Sequence, residues 1–246
     1  MKKLLALLLS AAIFCSVQGI VSADEIEVIH GRTDVVTYED MREAAVYVVT
    51  FEDGERGGWR TSSGVFISGN YVLTNAHVTL TDTDGEVLIC DYENNEFTGK
   101  VVAEDLDKDL ALIRVRDNAN HRYATIAGSA SQDVISITNH PDLDKRFERK
   151  EGKELLYLNV PMSLDNGMSI PARSRVVYSF KSEPGNSGSP IFNDNGEIVA
   201  LLHARIMDGD NRGSAVAINL GDIKSFVKEA FTPIGGTVVA TSKIDK

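Results

Sequence analysis

The sequence predicts an all-β protein of the sandwich or barrel class, and three observations support this. Short apolar runs recur along the chain, and turn signals rich in Gly, Asn and Asp separate them. The length of 246 residues fits one large all-β domain or two small ones. The predicted strands cover residues 44–51, 64–68, 71–74, 86–90, 110–115, 134–138, 155–160, 175–180 and 197–202.

A polar segment rich in small residues, 117–130, divides these strands into two groups of similar length. Two β-barrels joined at this linker would enclose a cleft between them. One helix is predicted near the C-terminus, over residues 222–231, because apolar residues recur there at helical spacing. Asp222 is expected to cap the start of this helix, and Pro233 is expected to end it.

The composition excludes some function classes. A hydrophobic content of 43% is enough for a packed core. A net charge of −11 argues against nucleic acid as a partner, because phosphate binding requires clustered Lys and Arg.

The N-terminus has the pattern of a secretory signal peptide over residues 1–23. Lys2 and Lys3 precede an apolar run, and small residues follow up to Ala23. The run is too short for a membrane anchor, and the bulky Phe14 argues against lipid attachment at Cys15. We therefore expect a secreted or periplasmic protein without a stable membrane anchor.

Two starts of the mature chain remain open. Signal removal alone would leave Asp24 first, whereas a further cut after Glu27 would remove a short propeptide, 24–27, and free Val28. Either cut removes Cys15 and leaves Cys90 as a lone thiol, which we expect to lie in the core.

Ser187 lies in the stretch PGNSGSPI, between glycines that permit unusual backbone angles. A serine nucleophile requires a base, a carboxylate that orients the base, and N–H donors for the oxyanion. A tight turn here would direct the N–H groups of Gly185 and Ser187 into one hollow. Alone, this pattern also fits an ordinary β-turn.

His77 and Asp109 are the candidate base and orienting acid. His77 directly follows a predicted strand in VLTNAHV, and the small Ala76 before it allows close backbone packing. Asp109 precedes the apolar strand 110–115, where a carboxylate at the strand edge can be partly buried. Each of these two signals is weak by itself.

Together, LTNAHV, DLAL and GNSGSP resemble, in this order, the three catalytic motifs of the trypsin-like (chymotrypsin-fold) serine proteases. The stretch SSGVFIS resembles the strand that precedes the histidine motif. The resemblance spans about residues 29–231 and is closest to the bacterial glutamyl endopeptidase (V8-type) branch. It implies two six-stranded antiparallel barrels with a C-terminal helix, a protease domain over 28–231 and a C-terminal tail over 232–246.

The resemblance also implies a substrate pocket. In V8-type enzymes, a histidine at the place of His203 and a hydroxyl at the place of Ser182 face the residue before the cut bond. Cleavage after Glu is therefore expected, with Arg205 assisting or replacing His203 as the carboxylate partner. The equally open alternative for His203 is a partly buried histidine at a strand end.

The expected activity is that of a monomeric serine endopeptidase that acts on protein or peptide substrates without a cofactor. The acidic loops 82–86 and 208–211 lack a calcium-binding pattern, so no metal is expected. Two alternatives are an HtrA-type quality-control protease and a non-catalytic homologue that acts as a binding module. An HtrA-type protease is expected to carry a peptide-binding domain after the protease domain. A non-catalytic homologue is expected to have lost a residue of the triad.

Overall fold

The computed structural model describes residues 36–52, 58–80, 85–116, 121–163 and 169–232. The predicted signal peptide, the possible propeptide and residues 233–246 of the tail lie outside this part of the chain. The described strands form two closed six-stranded antiparallel barrels, and a short helix follows them, as the resemblance implied.

The first barrel has the strand order β1-β2-β3-β6-β5-β4. Its apolar interior comes from inward-facing residues of all six strands, since side chains alternate between the two faces of a strand. Its strands are β1 Ala45–Glu52, β2 Gly58–Ser68, β3 Tyr71–Thr74, β4 Glu86–Cys90, β5 Glu96–Asp105 and β6 Leu110–Val115.

The second barrel has the strand order β10-β11-β12-β9-β8-β7. Two of its strands, β8 and β9, extend well beyond the apolar runs that predicted them and pair over most of their length. Its strands are β7 Asp133–Thr138, β8 Glu148–Ser163, β9 Ser169–Lys181, β10 Pro190–Phe192, β11 Ile198–Arg205 and β12 Ser214–Asn219.

Several elements were not predicted, among them strands β5 and β12, helix α1, Tyr38–Ala44, and the short helix α2, Ala76–Thr79. Strand β5 alternates exposed polar and partly buried residues, so it lacks the apolar run used to find the other strands. Helix α1 begins at a capping box in which Thr37 and Asp40 bond each other's backbone N–H groups.

The predicted C-terminal helix is present, but the residue that caps it is not the predicted one. Helix α3 covers Leu220–Ala230, and Asn219 is its N-cap, whose side chain accepts from the N–H of Asp222. Asp222 lies inside the first turn, where its carboxylate pairs with Arg173 and Arg175 of β9. The expected cap by Asp222 is therefore wrong, because the helix begins two residues earlier than predicted and Asn219 caps it.

The two barrels pack against each other through a shared apolar cluster that also includes buried residues of α1 and α3. Residues 121–130 of the predicted linker bond to both barrels: the N–H of Ala124 donates to Phe66, and that of Ala127 donates to Ile198. Cys90 is buried, as expected. None of the helices in the described ranges is long and apolar enough to cross a membrane.

Candidate active site

His77 and Asp109 meet because their strands are neighbours in the first barrel. The end of β3 pairs with the start of β6, with Thr74 opposite Ala111. His77 follows β3 in α2, a single helical turn over Ala76–Thr79, and Asp109 directly precedes β6. Two loops far apart in the sequence therefore leave the barrel at the same edge.

Asp109 has no exposed surface, and both of its carboxylate oxygens accept hydrogen bonds. The backbone N–H of His77 donates to Oδ1 at 2.8 Å, and Nδ1 of His77 lies 2.7 Å from Oδ2. Burial alone would raise the pKa of Asp109, but hydrogen bonds from His203 and His77 outweigh it and hold the pKa at about 2. Asp109 is therefore a carboxylate at neutral pH.

The backbone at Asp109 is held in place from two sides. Its φ of 60° lies in the left-handed region, which costs energy for most residues but less for Asp. Its carbonyl accepts from Nδ2 of Asn75 at 3.1 Å. The carbonyl of Lys108, one residue earlier, accepts from the buried Arg175 of the second barrel at 3.3 Å.

Ser187 is the second residue of the second of two consecutive tight turns, 183–186 and 186–189. The N–H of Asn186 bonds to the carbonyl of Glu183, and the N–H of Ser189 bonds to the carbonyl of Asn186. Each turn has a glycine with positive φ at its third position, 89° at Gly185 and 85° at Gly188, as a type II turn requires.

The first barrel supports this loop through Ser63 of β2. The N–H of Ser63 donates to the carbonyl of Ser187 at 2.7 Å, and its hydroxyl donates to the carbonyl of Gly185 at 3.1 Å. A Cβ at Gly188 would come within 2.0 Å of the carbonyl oxygen of Ser63, so this position requires glycine for space as well as for φ.

Among the described residues, the N–H groups of Gly185 and Ser187 have no hydrogen-bond partner. Two unpaired donors beside a serine are the groups that a developing oxyanion needs. The hydroxyl of Ser187 contacts the carbonyl oxygen of His203 at 3.4 Å, a long and weak hydrogen bond. The serine side chain is therefore not locked by its surroundings.

His203 lies beside the carboxylate of Asp109. Its imidazole is buried, and Nδ1 lies 2.6 Å from Oδ2 of Asp109. The pairing of β11 with β12 shifts between Leu202 and Ala204, so the alternation of the strand does not carry through this residue. The contact with Asp109 was not predicted, and the expected role of His203 in the substrate pocket stays a prediction.

The other two expected pocket residues lie on neighbouring segments of the second barrel. Ser182 is buried, and its N–H donates to the carbonyl of Gly213 at 2.9 Å. Gly213 in turn donates to Ile206, which follows Arg205 at the exposed end of β11. The structure thus brings together the segments that carry Ser182 and Arg205.

His77, Asp109 and His203 also satisfy the composition of a metal site, since their ligand atoms lie within 4.8 Å of one another. The two Nδ1–Oδ2 separations of 2.7 and 2.6 Å, however, are those of charge-assisted hydrogen bonds. Zn²⁺ would require both Nδ1 atoms to be free of protons and to lie about 2.0–2.1 Å from the ion. The geometry is thus that of a hydrogen-bonded cluster.

The class of fold follows from these observations. Two six-stranded antiparallel barrels, with the candidate residues at the junction between them, define the chymotrypsin-like architecture. The chain belongs to the family described as the trypsin-like peptidase domain, which matches residues 62–201, more than half of the sequence.

Two curated relatives are HtrA-type proteases. The chain is 27% identical over 187 residues to "Serine protease Do-like HtrA" of Bacillus subtilis and 26% identical over 167 residues to "Serine protease HtrA-like" of Staphylococcus epidermidis. These matches cover 72% and 65% of the chain, but only 40% and 28% of the relatives' own lengths.

Solved structures share the fold. The active form of the Rv3671c protease from M. tuberculosis matches with a TM-score of 0.66 at 18% identity, over 86% of this chain and 97% of that one. Its inactive form matches with a TM-score of 0.61 at 17% identity, over 79% of this chain and 92% of that one.

Proposed function

We propose that the chain is a serine endopeptidase in which Ser187, His77 and Asp109 form the catalytic triad. The observation that carries the proposal is the placement of His77. Asp109 binds its Nδ1 at 2.7 Å and its backbone N–H at 2.8 Å, which leaves Nε2 as the basic atom. The serine loop of the other barrel docks at the same junction.

In this mechanism, Oγ of Ser187 attacks the scissile carbonyl while His77 takes its proton. The tetrahedral oxyanion receives hydrogen bonds from the N–H groups of Gly185 and Ser187, and the protonated His77 then donates to the leaving amine. Water releases the acyl group by the same steps. Ser187 must move from its weak contact with His203 to approach His77, and hydrogen bonds at such sites often tighten only when substrate binds.

The test is hydrolysis of casein by wild type, Ser187→Ala and a matched control, Ser189→Ala. Ser189 lies in the same loop, and its buried hydroxyl has no partner among the described residues. Ser187→Ala should be folded and lose on the order of 10⁴–10⁶ in turnover, as should His77→Ala. Ser189→Ala should retain activity. Hydrolysis by Ser187→Ala at the wild-type rate contradicts the assignment.

Preference for Glu before the cut bond is the second part of the proposal. Basic residues on three adjacent segments, Lys181, Arg205 and Arg212, support an anion site, and Nζ of Lys181 donates to the carbonyl of Arg212. Compensating charge is needed because an entering carboxylate loses water. The preference is tested with peptides that differ only in the residue before the cut bond, which is Glu, Asp, Gln, Lys or Leu. Arg205→Ala should reduce the rate on Glu selectively, whereas a wild-type preference for Lys or Leu contradicts the anion site.

An HtrA-type function is the alternative that the curated relatives favour. Both relatives carry HtrA in their names, although this chain spans less than half of either. Quality-control proteases act on unfolded chains, so the two functions can be separated by substrate. Rapid cleavage of unfolded casein at many residue types favours the HtrA type, whereas cleavage confined to acidic residues favours the V8 type.

We also propose that the protein is secreted after removal of residues 1–23. Sequencing of the N-terminus of protein recovered from the medium or periplasm separates a start at Asp24 from one at Val28. A fully active protein that starts at Asp24 contradicts a requirement for the second cut.

A further inference from the structure

His203 reaches the candidate active site from the second barrel. The serine loop pairs with β11, because the N–H of Gly188 donates to the carbonyl of Leu202 and the N–H of Leu202 donates to the carbonyl of Ser189. His203 is the next residue, so it enters the site beside Ser187. Its ring stands edge-on to that of His77, with centroids 5.9 Å apart and planes at 76°.

One oxygen atom of Asp109 serves both histidines. Oδ2 lies 2.7 Å from Nδ1 of His77 and 2.6 Å from Nδ1 of His203. An ionised carboxylate only accepts hydrogen bonds, so Nδ1 of each ring carries the proton. His203 is fully enclosed, which makes this contact hard for water to replace.

We propose that His203 is a positioning residue for the triad: its Nδ1–H holds Oδ2 of Asp109 in the orientation that binds His77. The inference rests on the function proposed above and deepens it. In this role, a residue of the second barrel binds directly to the carboxylate of Asp109, which belongs to the first barrel. His203 does not exchange protons with substrate in this role; it acts through Asp109.

His203 performs this role as a neutral donor. The charged and titratable groups around it are Asp109 before β6, His77 on α2 and Arg175 on β9. Burial lowers the pKa of His203, and the carboxylate of Asp109 only partly opposes that effect. The ring is therefore uncharged at neutral pH and donates without cancelling the charge on Asp109.

Two consequences follow for catalysis. The second donor fixes Oδ2, so the imidazole of His77 keeps its orientation towards Ser187. The hydrogen bond from Nδ1 of His203 also partly neutralises the negative charge on Asp109. The carboxylate therefore stabilises a protonated His77 less than it would without this bond. Loss of the donor should lower kcat and shift the acid limb of the kcat/KM profile to higher pH.

His203→Asn and His203→Leu separate the hydrogen bond from packing. The amide nitrogen of Asn can occupy the place of Nδ1 and donate, whereas Leu fills space without donating. His121→Leu is the matched control, because His121 follows the first barrel in the sequence and its ring contacts those of Phe66 and Phe97. His203→Gln serves as a second variant should Leu fail to fold, since its longer chain displaces the donor.

Kinetics on one peptide substrate give the first readout. His203→Leu and His203→Gln should lose about 10- to 100-fold in kcat with little change in KM. His203→Asn should stay within about 3-fold of wild type, as should His121→Leu. Equal kcat for His203→Leu and wild type, or no rescue by Asn, overturns the positioning role.

Proton NMR with ¹⁵N-labelled histidine gives a readout that needs no activity. In the Ser187→Ala background, two downfield Nδ1–H signals are expected, one from each histidine bound to Asp109. His203→Asn should remove one signal and keep that of His77. Absence of the His203 signal overturns the proposal. A wild type without any hydrolysis overturns the proposed function and this role with it, whereas an active wild type indifferent to His203 overturns this role alone.

Discussion

The acid end and the serine end of the proposed site are held in different ways. Asp109 accepts three hydrogen bonds of 2.6–2.8 Å, while the hydroxyl of Ser187 has a single contact of 3.4 Å. A buried charge must be paired, because an unpaired one is costly to desolvate, whereas a neutral hydroxyl can be left loosely bound. In the proposed site, His77 is therefore fixed, while the hydroxyl of Ser187 can still rotate.

The main chain, unlike the side chains, is fixed at both ends of the site. The main chain around Ser187 is fixed by two tight turns and by Ser63, so the two proposed oxyanion donors, the N–H groups of Gly185 and Ser187, are positioned before substrate binds. Donors arranged in advance are a major source of transition-state stabilisation, because they need no reorganisation during the reaction. At the serine end, the rigid part is thus the main chain.

The largest expected effect on this comparison comes from Asp109→Asn. Asparagine offers one acceptor oxygen to three donors, and its amide would face an N–H. We expect kcat to fall on the order of 10⁴-fold with the fold retained. Circular dichroism and kinetics on a peptide substrate measure both quantities. A loss of less than about tenfold in a folded variant shows that the acid end does not orient the base.

A smaller effect is expected from Asp222→Ala, which removes the partner of Arg175. Arg175 is fully buried and lies 3.0 Å from Asp222, so the change leaves a buried charge unpaired. The free energy of unfolding should fall by up to about 3 kcal/mol, since Asp222 itself keeps some contact with solvent. Urea unfolding in the Ser187→Ala background measures this without self-digestion.

The matched control for Asp222→Ala is Asp142→Ala at an exposed ion pair with Lys145. This control should cost less than about 1 kcal/mol. Equal losses for the two variants contradict the expectation that Asp222→Ala leaves a costly unpaired charge on Arg175.

The smallest effect concerns pH and stability. The pKa of His203 lies below its ordinary value of 6.5 because of burial. As pH falls below 6.5, the unfolded chain binds a proton at this histidine before the folded protein does, so stability falls until the lowered pKa is reached. His203→Asn should therefore lose less stability between pH 7 and 5 than wild type, by at most about 1.4 kcal/mol per pH unit.

This comparison is made by urea unfolding, again in the Ser187→Ala background. His140→Asn, at a partly exposed histidine, controls for the change of residue type. Equal pH slopes for wild type and His203→Asn argue against a neutral, buried His203.

The sequence predicts the parts of the site that lie beside regular elements. His77, Asp109 and Ser187 each stand next to an apolar run, so the strand pattern locates them. The contacts of Arg175 with Asp222 and with the chain before Asp109 join distant residues and leave no local signal. A charged residue inside a strand is normally expected to face water, yet Arg175 is buried.

His203 shows a different limit of sequence reasoning. Its position at the end of an apolar strand was visible, but the direction of its ring depends on the irregular pairing between β11 and β12. A shift of one residue turns a side chain to the other face of a strand. The sequence alone therefore left both readings of His203 open.

The central claim is that Ser187 is a nucleophile activated by His77. Its most direct test is labelling with a fluorophosphonate, followed by mass spectrometry of the intact protein and its peptides. The wild type should gain one adduct, carried by the peptide that contains Ser187, and both His77→Ala and Ser187→Ala should lose it. An adduct on another residue, or equal labelling of the folded His77→Ala protein, contradicts the claim.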